Sequence, residues 1–251
     1  MPHLSLLEYI LIAVGGAIAG ALNAVAGGGS LISFPIMLGA GFSPVAANMT
    51  NTVALVPGNL GGSIGYRSEL SGQSDRIRAL GAVSIAGATI GSFLLIVGPT
   101  SVFRALVPWL ILFSAALLAL QPLAKRFIRS DSTTRRHRTV VLGGQFLTAI
   151  YGGYFGAGMG VVMLALFGTF LHDSLQRLNA LKGLLALLIN LMAAIYFALF
   201  GPVAWLPAVI MAASSLVGGH AGVRLARRMS DNVLRWFVII FAVAVAVRLL
   251  V

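Results

Sequence analysis

Long apolar runs cover almost the whole of this 251-residue chain. Examples are Ala79 to Val97, Leu106 to Leu120 with its flanks, and Phe237 to Val247. A helix of about 20 apolar residues crosses a hydrocarbon core of roughly 30 Å. The runs are continuously apolar and do not alternate, which favours helices over the strands of a membrane barrel. With 59% hydrophobic and 9% charged residues, the chain has too little polar surface for a water-soluble domain. It is predicted to be an all-α polytopic membrane protein.

The apolar runs divide into ten segments, five on each side of a basic linker, and the second segment of each five is short. The predicted segments are 4–26, 29–42, 44–66, 77–97, 101–123, 139–156, 160–172, 174–200, 203–225 and 231–250. The chain is therefore predicted to consist of a first membrane repeat (1–123), a basic cytoplasmic linker (124–138) and a second membrane repeat (139–251).

The second five segments repeat the first five in sequence. A shift of 131 positions aligns the halves without a gap and pairs Asn48 with Asn179 and Asn59 with Asn190. The same shift pairs Gly27 with Gly158, Gly29 with Gly160, Ser84 with Ser215, Gly87 with Gly218, Gly91 with Gly222 and Arg104 with Arg235. Glycine matches arise readily by chance in an apolar sequence, but asparagine and arginine matches under one shift do not. We interpret the chain as an internal duplication.

Basic residues in the loops predict how the two halves lie in the membrane. The linker is rich in Lys and Arg, so it is expected in the cytoplasm. Residues 67–78 contain three arginines, whereas their counterparts at 198–209 carry no charge. The uncharged turn at 98–101 corresponds to a loop with arginines at 224–228. This pattern predicts two inverted repeats of about five membrane segments each, with both termini outside. If the short segments are re-entrant, each half has four crossings and the 224–228 arginines lie outside.

A glycine-rich sequence interrupts each half. In the first half, three glycines at 27–29 follow Asn23 and precede Ser30, and glycines at this density break a helix. A helix that restarts near Ser30 presents its first amide groups and the positive end of its dipole, which suits an anion. The second half has Gly-Ala-Gly-Met-Gly at 156–160. The alternative is that these glycines only allow close contacts between helices.

The third segment of each half carries a stripe of polar residues. Asn48, Asn51 and Asn59 fall within about 80° of one helical face at 100° per residue. The shift of 131 positions gives the matching stripe of the second half, which is Asn179, Lys182 and Asn190.

Lys182 takes the place of Asn51, and a lysine inside an apolar span costs roughly 2.5–3.5 kcal/mol or more. The six acids all lie near segment ends or in loops; they are Glu8, Glu69, Asp75, Asp131, Asp173 and Asp231. A cation among amides, without a carboxylate in the interior, indicates that the missing anion is the substrate. The alternative is that Lys182, about two turns into its helix, extends to the cytoplasmic surface.

His220 lies within a span and is a candidate for proton relay or substrate contact, with a hydrogen-bonded packing role as the alternative. The candidate substrate-binding residues are Asn23, Gly28, Gly29, Ser30, Asn48, Asn51, Asn59, Gly158, Gly160, Asn179, Lys182, Asn190 and His220. The sequence has no cysteine, nucleotide-binding loop, metal-ligand cluster or nucleophile–base–acid set, so neither an enzyme nor a metal or cofactor is expected. The net charge of +11 arises at segment ends, and nucleic-acid binding is not expected.

The first half resembles the sulfite exporter family TauE/SafE, also grouped as toluene-sulfonate uptake permeases. The resemblance lies in residues 23–30, Phe34-Pro35, residues 47–54 and Pro57-Gly58. The second half departs from the family pattern, because Met159 interrupts the glycine triplet and Leu166 stands where Pro35 does. The resemblance implies small sulfur-containing anions, such as sulfite or organosulfonates, as substrates.

The sequence therefore predicts a secondary transporter of such anions in the bacterial inner membrane. The glycine breaks and polar stripes are expected to meet near the midplane, with one half moving against the other. Export is the expected direction, because a potential of roughly 100 mV, inside negative, contributes about 2.3 kcal/mol per unit charge to expelling an anion. The alternatives are a channel-like anion pore and an uptake permease for another small anion. The expected partners are the anion and the lipid bilayer, and a homodimer is left open.

Overall fold

The computed structural model describes residues 2, 4–25, 28–126, 135–171, 173–226 and 231–250. Within these ranges the chain forms ten α-helices and a short 3-10 turn. The helices are α1 (Leu6–Val25), α2 (Ser30–Gly39), α3 (Pro44–Gly65), α4 (Ser74–Val97), α5 (Thr100–Arg126), α6 (Arg135–Tyr154), α7 (Met159–Phe170), α8 (Leu175–Phe200), α9 (Trp205–Ala226) and α10 (Asp231–Leu250). They match the ten predicted segments, except that α5 and α6 extend into the predicted linker. The rest of that linker, together with Gly27, Arg227 and Arg228, lies outside the described residues.

Four helices in the described part of the chain are long and apolar enough to cross a membrane. They contain the spans Leu6–Asn23, Ser74–Val97, Thr100–Pro122 and Leu175–Phe200. Shorter apolar helices are Ser30–Gly39, Met159–Phe170, Trp205–His220 and Trp236–Leu250. Large apolar side chains such as Leu7, Val217 and Ile240 lie exposed on the outer surface. Such a surface suits lipid, and the prediction of an all-helical multi-pass membrane protein is confirmed.

The two polar-stripe helices begin in the same way. Ser43 caps α3 by accepting a hydrogen bond from the Ala46 amide at 3.4 Å. Ser174 caps α8 by accepting one from the Arg177 amide, also at 3.4 Å. Such caps satisfy amides that have no partner in the first turn. The two serines are equivalent under the shift of 131 positions, so the duplication extends to the local signal that starts each helix.

Helices α3 and α8 pack against each other in opposite directions. Gly201, just past the end of α8, lies against Met49 near the start of α3, and Gly183, early in α8, faces Ser63 near the end of α3. The Ala204 amide also donates to Thr50 Oγ1 at 3.0 Å. The equivalent helices α5 and α10 likewise meet with the first turn of α5 beside the last turn of α10.

The closest helix pairs each join one helix of the first five to one of the second five. In the α1–α9 pair, a Cβ at Gly218 would collide with the Ala17 carbonyl oxygen, and in the α4–α6 pair a Cβ at Gly91 would collide with that of Ile150. Helix α3 also packs against α9, and α8 against α4. We call α1, α3 and α9 the first bundle and α4, α6 and α8 the second bundle. The two halves are therefore interleaved, and the bundles meet along α3 and α8.

Candidate functional site

A polar cavity of about 60 Å³ lies where the two glycine breaks approach α3 and α8. That volume holds a small cluster of waters or an anion of a few heavy atoms. The lining residues come from five helices and two connections, and are Asn23, Ser30, Leu55, Gly58, Asn59, Ser63, Tyr66, Gly156, Met159, Gly160, Asn179, Ala180, Lys182, Gly183, Ala186 and Asn190. This set contains no carboxylate.

The first break is held against the end of α1. The Gly29 amide donates to Asn23 Oδ1 at 2.8 Å, and the Ser33 hydroxyl donates to the Gly29 carbonyl at 3.3 Å. A Cβ at Gly29 would collide with the Ala19 carbonyl oxygen, so the close approach requires glycine. Helix α2 then begins at Ser30, as the glycine run predicts, and its first turn borders the cavity.

The second break is fixed to α5 instead. Gly156 and Gly158 have positive φ angles of 78° and 76°, the left-handed region that glycine adopts without strain. The Ala157 carbonyl between them accepts hydrogen bonds from the Tyr151 hydroxyl and, at 2.9 Å, from Ser114 Oγ. Helix α7 starts at Met159. Two helix N-termini therefore border one cavity, each with the positive end of its dipole.

The polar stripes contribute unequally to the cavity. Asn59 and Asn190, which are equivalent in the two halves, both line it. Asn179 and Lys182 of α8 line it as well. Lys182 is only 6% exposed, so its side chain lies inside the protein and does not extend to the surface.

The remaining predicted site residues lie elsewhere. Asn48 is buried and donates from Nδ2 to the Tyr154 carbonyl at 3.0 Å. Asn51 is buried outside the lining, and in the described part of the structure its Oδ1 has no hydrogen-bond partner. His220 is exposed on α9 and does not line the cavity. Gly28, Gly29 and Gly158 flank lining residues without lining the cavity themselves.

Sequence reasoning missed several lining residues, of which Ser63 and Tyr66 are the most polar. Ser63 lies one turn beyond Asn59, and Tyr66 nearly another turn further, so continuing the α3 stripe at helical spacing would have found both. Ser63 is buried, and its Oγ lacks a hydrogen-bond partner among the described residues.

A cluster of charges lies at the end where α3 finishes and α8 begins. Asp173 accepts from Arg76 Nη1 at 2.7 Å and pairs with Arg177 Nε at 2.7 Å. Burial alone would raise the pKa of Asp173, but the Ser174 amide bond and the two arginines outweigh it and lower the pKa below its ordinary value. We call this end, with Arg67, Arg76, Arg78 and Arg177, the basic face.

The other end of the α3–α8 pair is the opposite face. The counterparts of Asp173, Arg76 and Arg177 there are Phe42, Pro207 and Ala46, none of which is charged. The described residues contain no cluster of His, Cys, Asp and Glu able to hold a metal ion.

Apolar helices and a polar interior cavity define the class of this chain as a multi-pass helical membrane protein built like a transporter. The chain belongs to the sulfite exporter TauE/SafE family, whose sequence profile matches residues 12–249. The probable membrane transporter protein ORF9 of Sinorhizobium sp is 27% identical over 245 residues, covering 98% of this chain and 92% of that protein. The probable membrane transporter protein YfcA of Escherichia coli K12 is 25% identical over 234 residues, covering 93% and 86%.

A probable membrane transporter protein of Haemophilus influenzae is also 25% identical, over 233 residues that cover 90% of this chain and 88% of that protein. No solved structure gives a significant match. The family and the relatives identify the chain as a membrane transporter.

Proposed function

We propose that this chain is a secondary transporter that exports small sulfur-containing anions, such as sulfite or organosulfonates, across the bacterial inner membrane. One observation carries the proposal: the buried Lys182, the amides of Asn59, Asn179 and Asn190, and two helix N-termini border one cavity without a carboxylate.

This chemistry favours an anion over a cation or a neutral solute. A buried ammonium group and two helix dipoles all create positive potential, which a low-dielectric interior screens only weakly. Amide groups add hydrogen-bond donors that bind oxygen atoms of the anion. The Ser63 hydroxyl, buried in the lining, provides a further group able to donate to a bound oxyanion.

The sulfur chemistry of the substrate rests on the family. TauE/SafE proteins are described as sulfite exporters, while the curated relatives are named only as probable membrane transporters. A sulfite ion has one sulfur and three oxygens, a size that suits a cavity of about 60 Å³. Organosulfonates present the same three oxygens with an organic group attached.

We further propose that the two halves are inverted repeats. Three observations support this: α3 and α8 begin with equivalent serine caps, they run antiparallel, and the first turn of α5 lies beside the last turn of α10. The helix contacts also follow the duplication. Helix α1 packs against α9, and their counterparts α6 and α4 pack against each other in the same way. The basic face, next to the arginine-rich linker, is then cytoplasmic.

The moving units are the interleaved bundles. The sequence predicted movement of one half against the other. That motion would separate α1 from α9 and α4 from α6, where glycines bring backbone against backbone. Movement of the first bundle against the second, along α3 and α8, leaves these contacts intact. It opens the cavity alternately to the two faces.

The test is a flux panel with purified protein in proteoliposomes. Sulfite, sulfoacetate, thiosulfate, sulfate and chloride are offered under an imposed membrane potential. We expect saturable flux and counterflow of sulfite or sulfoacetate, with chloride and sulfate slower. Ohmic single-channel currents would show that the protein is an anion pore and not a carrier. Absence of flux for all five anions would overturn anion transport altogether.

A further inference from the structure

Most residues that line the cavity have counterparts, under the shift of 131 positions, that do not line it. Two equivalent pairs mark its centre, since Asn59 and Asn190 both line it, as do Leu55 and Ala186. From this centre it continues only toward the basic face, along the end of α3 and the start of α8. Its outer part is lined by Ser63, Tyr66, Asn179, Lys182 and Gly183.

The equivalent region toward the opposite face is closed. The counterparts of Ser63, Tyr66, Asn179 and Lys182 are Ala194, Phe197, Asn48 and Asn51. None of them lines the cavity, and Phe197, Asn48 and Asn51 are at most 2% exposed.

Two hydrogen bonds cross this closed region between residues of different halves. Asn48 Nδ2 donates to the Tyr154 carbonyl, and the Ala204 amide donates to Thr50 Oγ1. The cavity thus extends toward the basic face and is closed off from the opposite face.

Asn51 indicates a second arrangement. Its Oδ1 is buried, and in the described part of the structure it has no hydrogen-bond partner. A buried acceptor without a partner is destabilising. The cost disappears if, in a second state, Asn51 lines an opening to the opposite face, as Lys182 lines the present one.

Exchange of the two bundle conformations would produce such a second state. The bundles are equivalent under the shift, because α1, α3 and α9 correspond to α6, α8 and α4. After the exchange, Asn48 and Asn51 would line the mouth of the cavity, and the residues around Lys182 would form the sealed side.

We propose that the carrier binds its anion more tightly when the cavity opens to the basic face than when it opens to the opposite face, and that the pair Lys182 and Asn51 sets this ratio. The inference rests on the proposed function. A cation lines the first mouth and a neutral amide lines the second. An ammonium group attracts an anion far more strongly than an amide does in a partly buried site. The transporter therefore captures its anion on one face and releases it readily on the other.

The experiment measures the half-saturating sulfite concentration for flux from each face. The protein in the proteoliposomes carries a terminal tag, and a protease added outside removes the tag only from molecules that expose it there. The two orientations are thereby distinguished. The variants are Lys182→Asn, Asn51→Lys and the double exchange. Arg78→Asn is the matched control, because it removes one positive charge from the same face where the side chain is 82% exposed.

The wild type is expected to half-saturate at a concentration at least tenfold lower from the basic face. Lys182→Asn should bring the two values together, and the double exchange should reverse their order. Arg78→Asn should keep the wild-type ratio. Equal values for an active wild type, or a double exchange that keeps the original order, would overturn the inference. A wild type that carries none of the anions defeats the proposed function instead.

A second measurement covers variants that fail to fold. The chain has no cysteine, so single cysteines report access without background. Gly183→Cys and Thr52→Cys occupy equivalent positions on the two sides of the centre. Membrane-impermeant maleimide should label Gly183→Cys only from the basic face and Thr52→Cys only from the opposite face. Sulfoacetate, whose sulfonate group does not react with maleimide, should protect Gly183→Cys at a concentration at least tenfold lower than it protects Thr52→Cys, and equal protection would contradict the proposal.

Discussion

Helices α3 and α8 have equivalent caps and equivalent asparagines, yet they expose different parts of their stripes. On α8, Asn179 and Lys182 line the cavity, whereas on α3 Asn48 and Asn51 are buried in protein contacts. Only the central Asn59 and Asn190 behave alike. The comparison teaches that a duplicated sequence specifies the same helix twice, while one conformation gives the two copies different surroundings.

The largest expected effect comes from the residue at which the two stripes differ most. Lys182→Ala should weaken sulfite binding by about 2–5 kcal/mol, or roughly 30-fold and more, because it removes the buried cation of the site. Equilibrium binding of radiolabelled sulfite to purified protein measures the change. Arg78→Ala on the exposed surface serves as the control and should bind like wild type. Unchanged affinity of Lys182→Ala would remove the lysine from the site.

Substitution of equivalent glycines tests the close contacts between helices of different halves. Gly87→Ala places a Cβ 2.6 Å from the Phe146 carbonyl oxygen, and Gly218→Ala produces the matching collision in the other bundle. Overpacking of this kind costs about 1–3 kcal/mol. Each variant should lower the thermal unfolding midpoint in detergent.

Gly143→Ala is the control for these glycines, because the added Cβ would have no atom within 4 Å other than those of its chain neighbours and its own helical backbone. It should keep or raise the midpoint, since alanine favours helix over glycine by up to about 1 kcal/mol. If Gly87→Ala and Gly218→Ala behave like this control, the bundles are less tightly joined than the contacts indicate.

The charged basic face can be compared with its apolar counterpart through Asp173. Asp173→Asn should destabilise the protein by about 1–3 kcal/mol, because Arg76 and Arg177 lose a shared carboxylate. Asp75→Asn is the control, since that side chain is 97% exposed and should leave the unfolding midpoint unchanged.

The pH dependence of the Asp173 contribution follows from the lowered pKa. A carboxyl group whose folded pKa is depressed contributes fully above its unfolded value, near 3.9, and loses that contribution as pH falls through the folded value. The difference between wild type and Asp173→Asn should therefore be the same at pH 6 and pH 8. A difference that grows between these values would require another titrating group.

The smallest expected effect concerns the hydrogen bonds that hold the second helix break. Tyr151→Phe removes one of two hydrogen bonds to the Ala157 carbonyl and should cost about 0.5–1.5 kcal/mol. The control is Tyr196→Phe, whose hydroxyl makes no hydrogen bond in the described part of the structure. Chemical unfolding of both variants measures the difference, and equal midpoints would show that Ser114 alone fixes the second break.

Hydropathy and glycine placement were sufficient to predict the ten helices and the start of α2 at Ser30, because both depend on local sequence. The same reasoning brought Asn23, Ser30, Lys182 and the central asparagines toward one site. It did not foresee that Asn48 and Asn51 are sealed or that His220 is exposed, because helical periodicity gives a residue's angle on its helix but not the neighbour that covers it. Interleaving was also beyond reach, since it depends on contacts between distant segments.

The glycine contacts between α1 and α9 bear on how the protein is made. The partner of helix α1 begins only at Trp205, about 200 residues after α1 itself begins. At 5–20 residues per second, α1 waits roughly 10–40 s for the surface that fits it. Helix α4 finds α6 after about 60 residues. The second bundle therefore assembles first during synthesis, and the first bundle closes around α1 only after α9 has been made.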